Sequence, residues 1–209
     1  MTGLLYAIGL KNKKTAYKIF TFYLILIALI QLGSFYVGRG YLSKPNIFYS
    51  HFYYLGQFIL LTAFFATLLN RKWLYWFLVP ILAYAAFGFI NDPGSFYRYN
   101  TVGMTLTHGL LVVYSVLYLY KSISDNGDFI IVSSGIFLYL LSSTLIFASQ
   151  NVLTDLGVSR EVNDILIKVN LILYLIFLIL INIEWIKNYS LLDDIKLFQK
   201  LFNNGDNRR

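Results

Sequence analysis

The chain contains no cysteine, and only 3 prolines and 2 methionines occur among its 209 residues. The first absence excludes a disulfide framework, a cysteine-ligated metal centre and thiol catalysis. Charge is scarce too: 13% of residues are Asp, Glu, Lys or Arg, where soluble domains carry about 25%. There is no H-E-x-x-H, no G-x-S-x-G and no phosphate-binding glycine loop. The two histidines, His51 and His108, have no clustered carboxylates, so no metal site is expected. Neither has an arginine four to six residues upstream, so the nuclease pattern of many defence proteins is absent. Nothing calls for a cofactor, and no catalytic residue stands out.

What is present is apolar. Hydrophobic residues make up 58% of the chain, too many for one water-soluble core of this size to hide. They fall in long runs over 16–37, 48–69, 73–90, 101–120, 129–151 and 162–186. A helical span needs roughly 20 such residues, whereas barrel strands alternate over about 10. The expected fold is all-α: a polytopic transmembrane helix bundle of six full spans plus a short N-terminal helix within Met1–Leu10. Ten residues rise only about 15 Å, half a bilayer, so that first segment is a truncated span or an interfacial stub. No A-x-A cleavage site follows the first long run, so no removable signal peptide is expected. Turn chemistry fills the breaks: Gly38, Gly40 and Pro45; Asn70-Arg71-Lys72; Asn91-Asp92-Pro93-Gly94-Ser95; and Asp125-Asn126-Gly127-Asp128. No loop could hold a soluble domain, and no internal repeat supports an inverted-repeat transporter.

Orientation follows from the basic residues. One set of loops holds Lys11, Lys13, Lys14, Lys18, Arg71, Lys72, Lys121, Lys187, Lys196, Lys200, Arg208 and Arg209; the other holds Arg39, Lys44, Arg98 and Arg160. The richer side is expected in the cytoplasm, and with it the C-terminus. Trp73, Trp76 and Trp185 fall at the same ends, as an interfacial belt requires. The net charge of +7 is therefore topological, and no nucleic-acid binding is expected. Residues 1–188 make the bundle and 189–209 a cytoplasmic tail. In the tail Leu191, Leu192, Ile195, Phe198, Leu201 and Phe202 recur at helical spacing opposite Asp193, Asp194 and Lys196. This is an amphipathic helix lying on lipid, or a docking element for a cytoplasmic partner through 189–202.

Polar side chains inside a bilayer carry a free-energy cost, so their depth is informative. Here they gather in the outer halves of the spans. Gln31, Gln57, His108 and Asn170 lie at similar depth on four spans and are expected to converge on a ligand-binding pocket. Asp164 and Lys168, four residues apart with the acid first, share a helix face and are expected to neutralise one another or to contact a ligand. His51, near the outer interface, is expected to be hydrated. Gly135, Ser142 and Ser149 form a stripe of small residues suited to close helix packing. A retinal-type site at Lys168 is disfavoured, because Gln57 stands in the third segment and no buried carboxylate is available.

Lys11-Asn12-Lys13-Lys14 followed by Tyr17–Leu32, the run Tyr54–Phe65, and Ser133-Ser134-Gly135-Ile136-Phe137-Leu138-Tyr139 running to Phe147 and Asn151 carry a resemblance. In these segments, which cover most of 10–186, the chain resembles uncharacterised small seven-helix membrane proteins of Bacteroidetes-type bacteria. Some of those look like sensor regions encoded near histidine kinases. Gln57 and His108 stand where glutamates are expected in that group, so any chemistry resting on those acids does not carry over. In size, multi-span character and lack of a catalytic motif the chain is also similar to accessory membrane proteins of type VI-B CRISPR systems.

Three functions are compatible with these features. The first is a non-enzymatic sensor or ligand-binding protein of the bacterial inner membrane that signals to a cytoplasmic partner. The second is an accessory or pore-forming defence protein acting as a homo-oligomer in lipid. The third, an intramembrane enzyme, lacks a nucleophile and an acid–base pair.

Overall fold

The computed structural model describes residues 2–7, 10, 13–38, 46–125, 127–155 and 160–189. Among them there are seven α-helices and no strand: α1 (Thr2–Ala7), α2 (Thr15–Tyr36), α3 (Phe48–Leu69), α4 (Leu78–Asn91), α5 (Thr101–Asp125), α6 (Ile130–Asp155) and α7 (Arg160–Tyr189). The amphipathic tail expected beyond Tyr189 lies outside the described residues.

Five segments are long and apolar enough to cross a membrane: α2, α3, Lys72–Asn91, α5 and α7 from Asp164 onward. The sixth expected span is α6, which has 26 residues and a described apolar stretch over Ile130–Ile146. The outer faces suit lipid: Ile165, Ile167, Leu171, Ile172, Leu175, Ile179 and Ile183 are all exposed on α7 alone. In water that surface would drive aggregation; in hydrocarbon it is the solvated state. The chain is a multi-pass integral membrane protein with an all-α fold.

The helices form a ring. α2 packs on α3, α3 on α5, α5 on α6 and α6 on α7. The short α1 closes the ring by touching both α2 and α7, which have no extended contact of their own. α4 lies outside, against α5 and its own flanking turns. Its run is broken: Lys72–Phe77 is a 3-10 helix and only Leu78–Asn91 is α-helical. Close approach is local. A Cβ on Gly135 would meet Phe177 at 3.0 Å and Leu180 at 3.2 Å, so α6 and α7 touch where the small-residue stripe begins.

The connections obey their turn chemistry. Asn70 adopts a left-handed conformation (φ 54°), and the N–H groups of Asn70 and Arg71 return to Thr67 and Ala66 to close α3 in a Schellman motif. At the far end the Asp92 carboxylate accepts from Gly94 N–H at 3.0 Å and pairs with Arg98 at 2.9 Å, fixing the turn Pro93–Tyr97. His51 is not hydrated as expected. It is 2% exposed, stacks on Phe96 with Phe89 at its edge, and its Nε2 bonds the Arg98 carbonyl at 3.0 Å. The aromatic residues flanking the turn, invisible as a cluster in the linear sequence, cover it.

We call the end bearing Lys13, Lys14, Arg71, Lys72, Lys121 and Lys187 the basic end, and the opposite one the distal end. At the basic end the ring interior is filled. Tyr17, Phe20, Phe64, Phe129 and Tyr189 pack ring against ring, with Tyr6 of α1 stacked on Tyr17 at 5.2 Å. Lys13 lies over the Tyr17 and Tyr189 rings, at 5.9 and 5.4 Å. Beneath this plug sits Glu184, fully buried on α7. Its carboxylate accepts the N–H of Phe129 at 3.2 Å and of Ile131 at 3.0 Å, and the Asn188 side-chain amide at 2.5 Å. Glu184 therefore caps the first turn of α6 from another helix, where free N–H groups and the helix dipole favour an anion.

Replacing Glu184 by Ala should strand two buried N–H groups and lower stability by about 2–4 kcal/mol, with Glu184→Gln intermediate. Unfolding in mixed micelles with increasing SDS measures this; an alanine variant within about 0.5 kcal/mol of the parent would remove the cap from the account.

Candidate functional site: a distal chamber of tyrosines and amides

α1 reaches only part way along its neighbours. Thr2 receives a hydrogen bond from Asn182 at 3.3 Å, Gly3 lies beside Leu24, and the buried Tyr6 hydroxyl donates to the Ile181 carbonyl at 3.0 Å. Burial holds the Tyr6 phenol well above its ordinary pKa, with the Glu184 carboxylate adding to the effect, so this donor stays protonated. Gln31 is seven residues beyond Leu24, about 10 Å further along α2. There no helix stands between α2 and α7. The gap is a cleft of about 150 Å³ lined by Tyr23, Ile27, Gln31, Tyr174, Phe177 and others. One bond crosses it: Gln31 Nε2 donates to the Tyr174 hydroxyl at 2.8 Å.

Behind the latch lies a cluster of uncharged polar groups from four helices. Gln57 of α3 is fully buried and donates to the Tyr23 hydroxyl of α2 at 3.2 Å. Its Oε1 is buried with no partner among the described residues. Tyr53 of α3 and Tyr139 of α6 bring their phenols near one another across the ring. The Tyr139 ring stacks on Phe177 at 5.5 Å and meets Tyr174 at the same distance. Toward the distal end this cluster opens into a cleft of about 650 Å³. Its polar walls are Gln31 and Ser34 of α2, Asn46, Tyr49, Ser50 and Tyr53 at the start of α3, and Tyr99 before α5. None of these lining residues is charged. The size falls within the range of small-molecule sites, and the mixture of aromatic faces with a few amides and hydroxyls is their usual chemistry.

The expected site residues separate into three groups. Gln31 and Gln57 do come together, through Tyr174 and Tyr23. Asn170 lies one helical turn before Tyr174 on the same side of α7, half-buried, with its Oδ1 unbonded among the described residues. His108 is 2% exposed on α5 and neither ring nitrogen has a partner among the described residues, but it does not line the cleft. Asp164 and Lys168 are exposed on α7 and line none of the clefts described here. The described residues hold two ion pairs, Lys14–Asp128 at 2.5 Å and Arg98–Asp92, so the mutual neutralisation expected for Asp164 and Lys168 is not formed. Four-residue spacing brings two side chains to one face but does not make long exposed chains meet.

Sequence reasoning missed the tyrosines. In a chain with 19% aromatic residues, nothing in the linear pattern sets Tyr53, Tyr139 and Tyr174 apart from the other rings. Compared with family models, curated proteins and solved structures, the chain matches none.

Because the Gln31–Tyr174 bond joins two helices with little other contact, a double-mutant cycle with Gln31→Ala and Tyr174→Phe should give a coupling of about 0.6–1.7 kcal/mol, as for other interhelical bonds in membranes. Zero coupling would mean that α2 and α7 are not held together there.

Proposed function

We propose that this chain is a ligand-binding membrane protein that receives a small uncharged molecule in its distal chamber. The observation that carries the proposal is the cleft of about 650 Å³ whose described lining is uncharged, opening onto the buried tyrosine–glutamine cluster. Among the described residues a charged ligand finds no counter-ion there. An uncharged ring compound would find aromatic faces in Tyr49, Tyr53 and Tyr99, and hydrogen-bonding groups in Gln31, Asn46 and Ser50. The lysine bias of the loops supports a bacterial inner-membrane topology with the basic end in the cytoplasm, so the chamber faces outward. A signalling role follows the same geometry, since α2, α3 and α7 contribute both to the chamber and to the aromatic plug at the basic end.

The aromatic filling of the basic half disfavours the pore reading, because conduction needs polar lining at every depth. Hydroxyls and amides without a carboxylate in the lining support binding over acid–base catalysis.

Thermal unfolding of the protein in lipid nanodiscs, against ring compounds sorted into neutral, anionic and cationic sets, tests this. Stabilisation should come from the neutral set, reaching about 2.7 kcal/mol at a hundred times the dissociation constant. Tyr53→Ala should abolish it while Lys168→Gln leaves it intact. Stabilisers confined to the charged sets, or unaffected by Tyr53→Ala, would refute the assignment.

A further inference from the structure

A second cleft lies at the opposite end of the molecule and has the opposite chemistry. It holds about 810 Å³ between the end of α3 and the last turns of α5, lined by Leu69, Asn70, Arg71, Trp73, Leu117 and Lys121. Two cations, an amide and an indole therefore surround a space floored by two leucines. Among the described residues neither Arg71 nor Lys121 is in an ion pair. Lys121 is held in place instead by donating to the Leu68 carbonyl at 3.2 Å. An ammonium so placed keeps two further N–H donors. Arg71 projects from the Schellman turn that the left-handed Asn70 creates, so its position is set by backbone geometry rather than by a charge partner.

The adjoining cleft shows the contrast. It shares Lys121, but its other cation, Lys14, is already bonded to Asp128. Among the described residues, unbalanced positive charge thus faces the Arg71 side. Trp73 is 48% exposed at that rim, where an indole marks the headgroup level of a bilayer. Below it the exposed α5 residues Val113, Val116 and Leu117 continue an apolar surface toward the membrane interior.

We propose that this cleft binds the headgroup phosphate of an anionic phospholipid, with Arg71 and Lys121 on the phosphate oxygens, Trp73 at the glycerol level and the acyl chains along Leu117 and Val113. A guanidinium and an ammonium converging on one point suit a phosphate, and the apolar floor suits the lipid form over the free ion. The site is independent of the distal chamber and stands whether or not that chamber binds a ligand.

The test compares nanodiscs of pure phosphatidylcholine with nanodiscs holding one part phosphatidylglycerol in five, reading co-purified lipid by native mass spectrometry after detergent extraction. The parent should retain phosphatidylglycerol selectively. Arg71→Gln combined with Lys121→Gln should weaken retention about thirtyfold, from a factor of about five per cation. The conservative Arg71→Lys/Lys121→Arg protein should keep most of it, which separates loss of the site from loss of the fold. Lys18→Gln combined with Lys187→Gln, an equal charge change elsewhere at the basic end, should have little effect. Equal loss from that pair would reduce the effect to bulk surface charge and overturn the proposal. So would equal retention of both lipids, or displacement of phosphatidylglycerol by millimolar inorganic phosphate.

Discussion

A carboxylate with no water around it organises the basic end of this protein. Glu184 is fully buried, yet it has what a buried anion requires: two backbone N–H donors at the start of α6 and a side-chain amide one turn along its own helix. The consequences spread outward. Phe129 donates one of those N–H groups from a left-handed conformation (φ 65°), which a phenylalanine adopts only when its surroundings compel it. Fixed in that way, the Phe129 ring faces Tyr17, Phe20, Phe64 and Tyr189. α1 docks on the same aromatic group through Tyr6, adding to the direct Tyr17–Tyr189 contact between α2 and α7 at this end.

The same constraint explains why the two halves differ. α1 fills the space between α2 and α7 as far as Leu24 and Asn182. Past that level one hydrogen bond among the described residues, Gln31–Tyr174, joins the helices, and the interior exchanges phenylalanines for hydroxyls and amides. A ring tightly stapled at one end and lightly latched at the other can change shape at the latched end without losing its fold. The two clefts lie on separate parts of the molecule, one uncharged and distal, the other cationic and at the basic rim.

Much of this was legible in the sequence, for identifiable reasons. The helix runs were visible because hydrocarbon permits few charges and demands length, and the turns because Asn70 and Asp92-Pro93-Gly94 have narrow conformational preferences. The sequence showed an outer concentration of polar groups; of these Gln31 lines the distal cleft, while Gln57 is buried against Tyr23. Other features were hidden. A trans cap such as Glu184 is set by the packing of α7 on α6, residues more than fifty apart, and a lone glutamate near a span end reads simply as a surface charge. The 3-10 segment Lys72–Phe77 interrupts a run whose hydropathy is continuous, so composition could not reveal it. His51 was mistaken for a hydrated group because its cover, Phe89 and Phe96, comes from a turn some forty residues away. Asp164 and Lys168 had the right spacing for a pair but no burial to force them together.

The central claim is that water reaches the tyrosines of the distal half and is excluded from those of the basic half. Hydroxyl-radical footprinting of the unmodified protein in nanodiscs, read tyrosine by tyrosine by mass spectrometry, addresses it without any substitution. The account predicts oxidation of Tyr49, Tyr53 and Tyr99, which line the distal cleft, and protection of Tyr6 and Tyr17. Protection of Tyr49, Tyr53 and Tyr99 equal to that of Tyr17 would contradict it, because the chamber would then be a dry, packed interior.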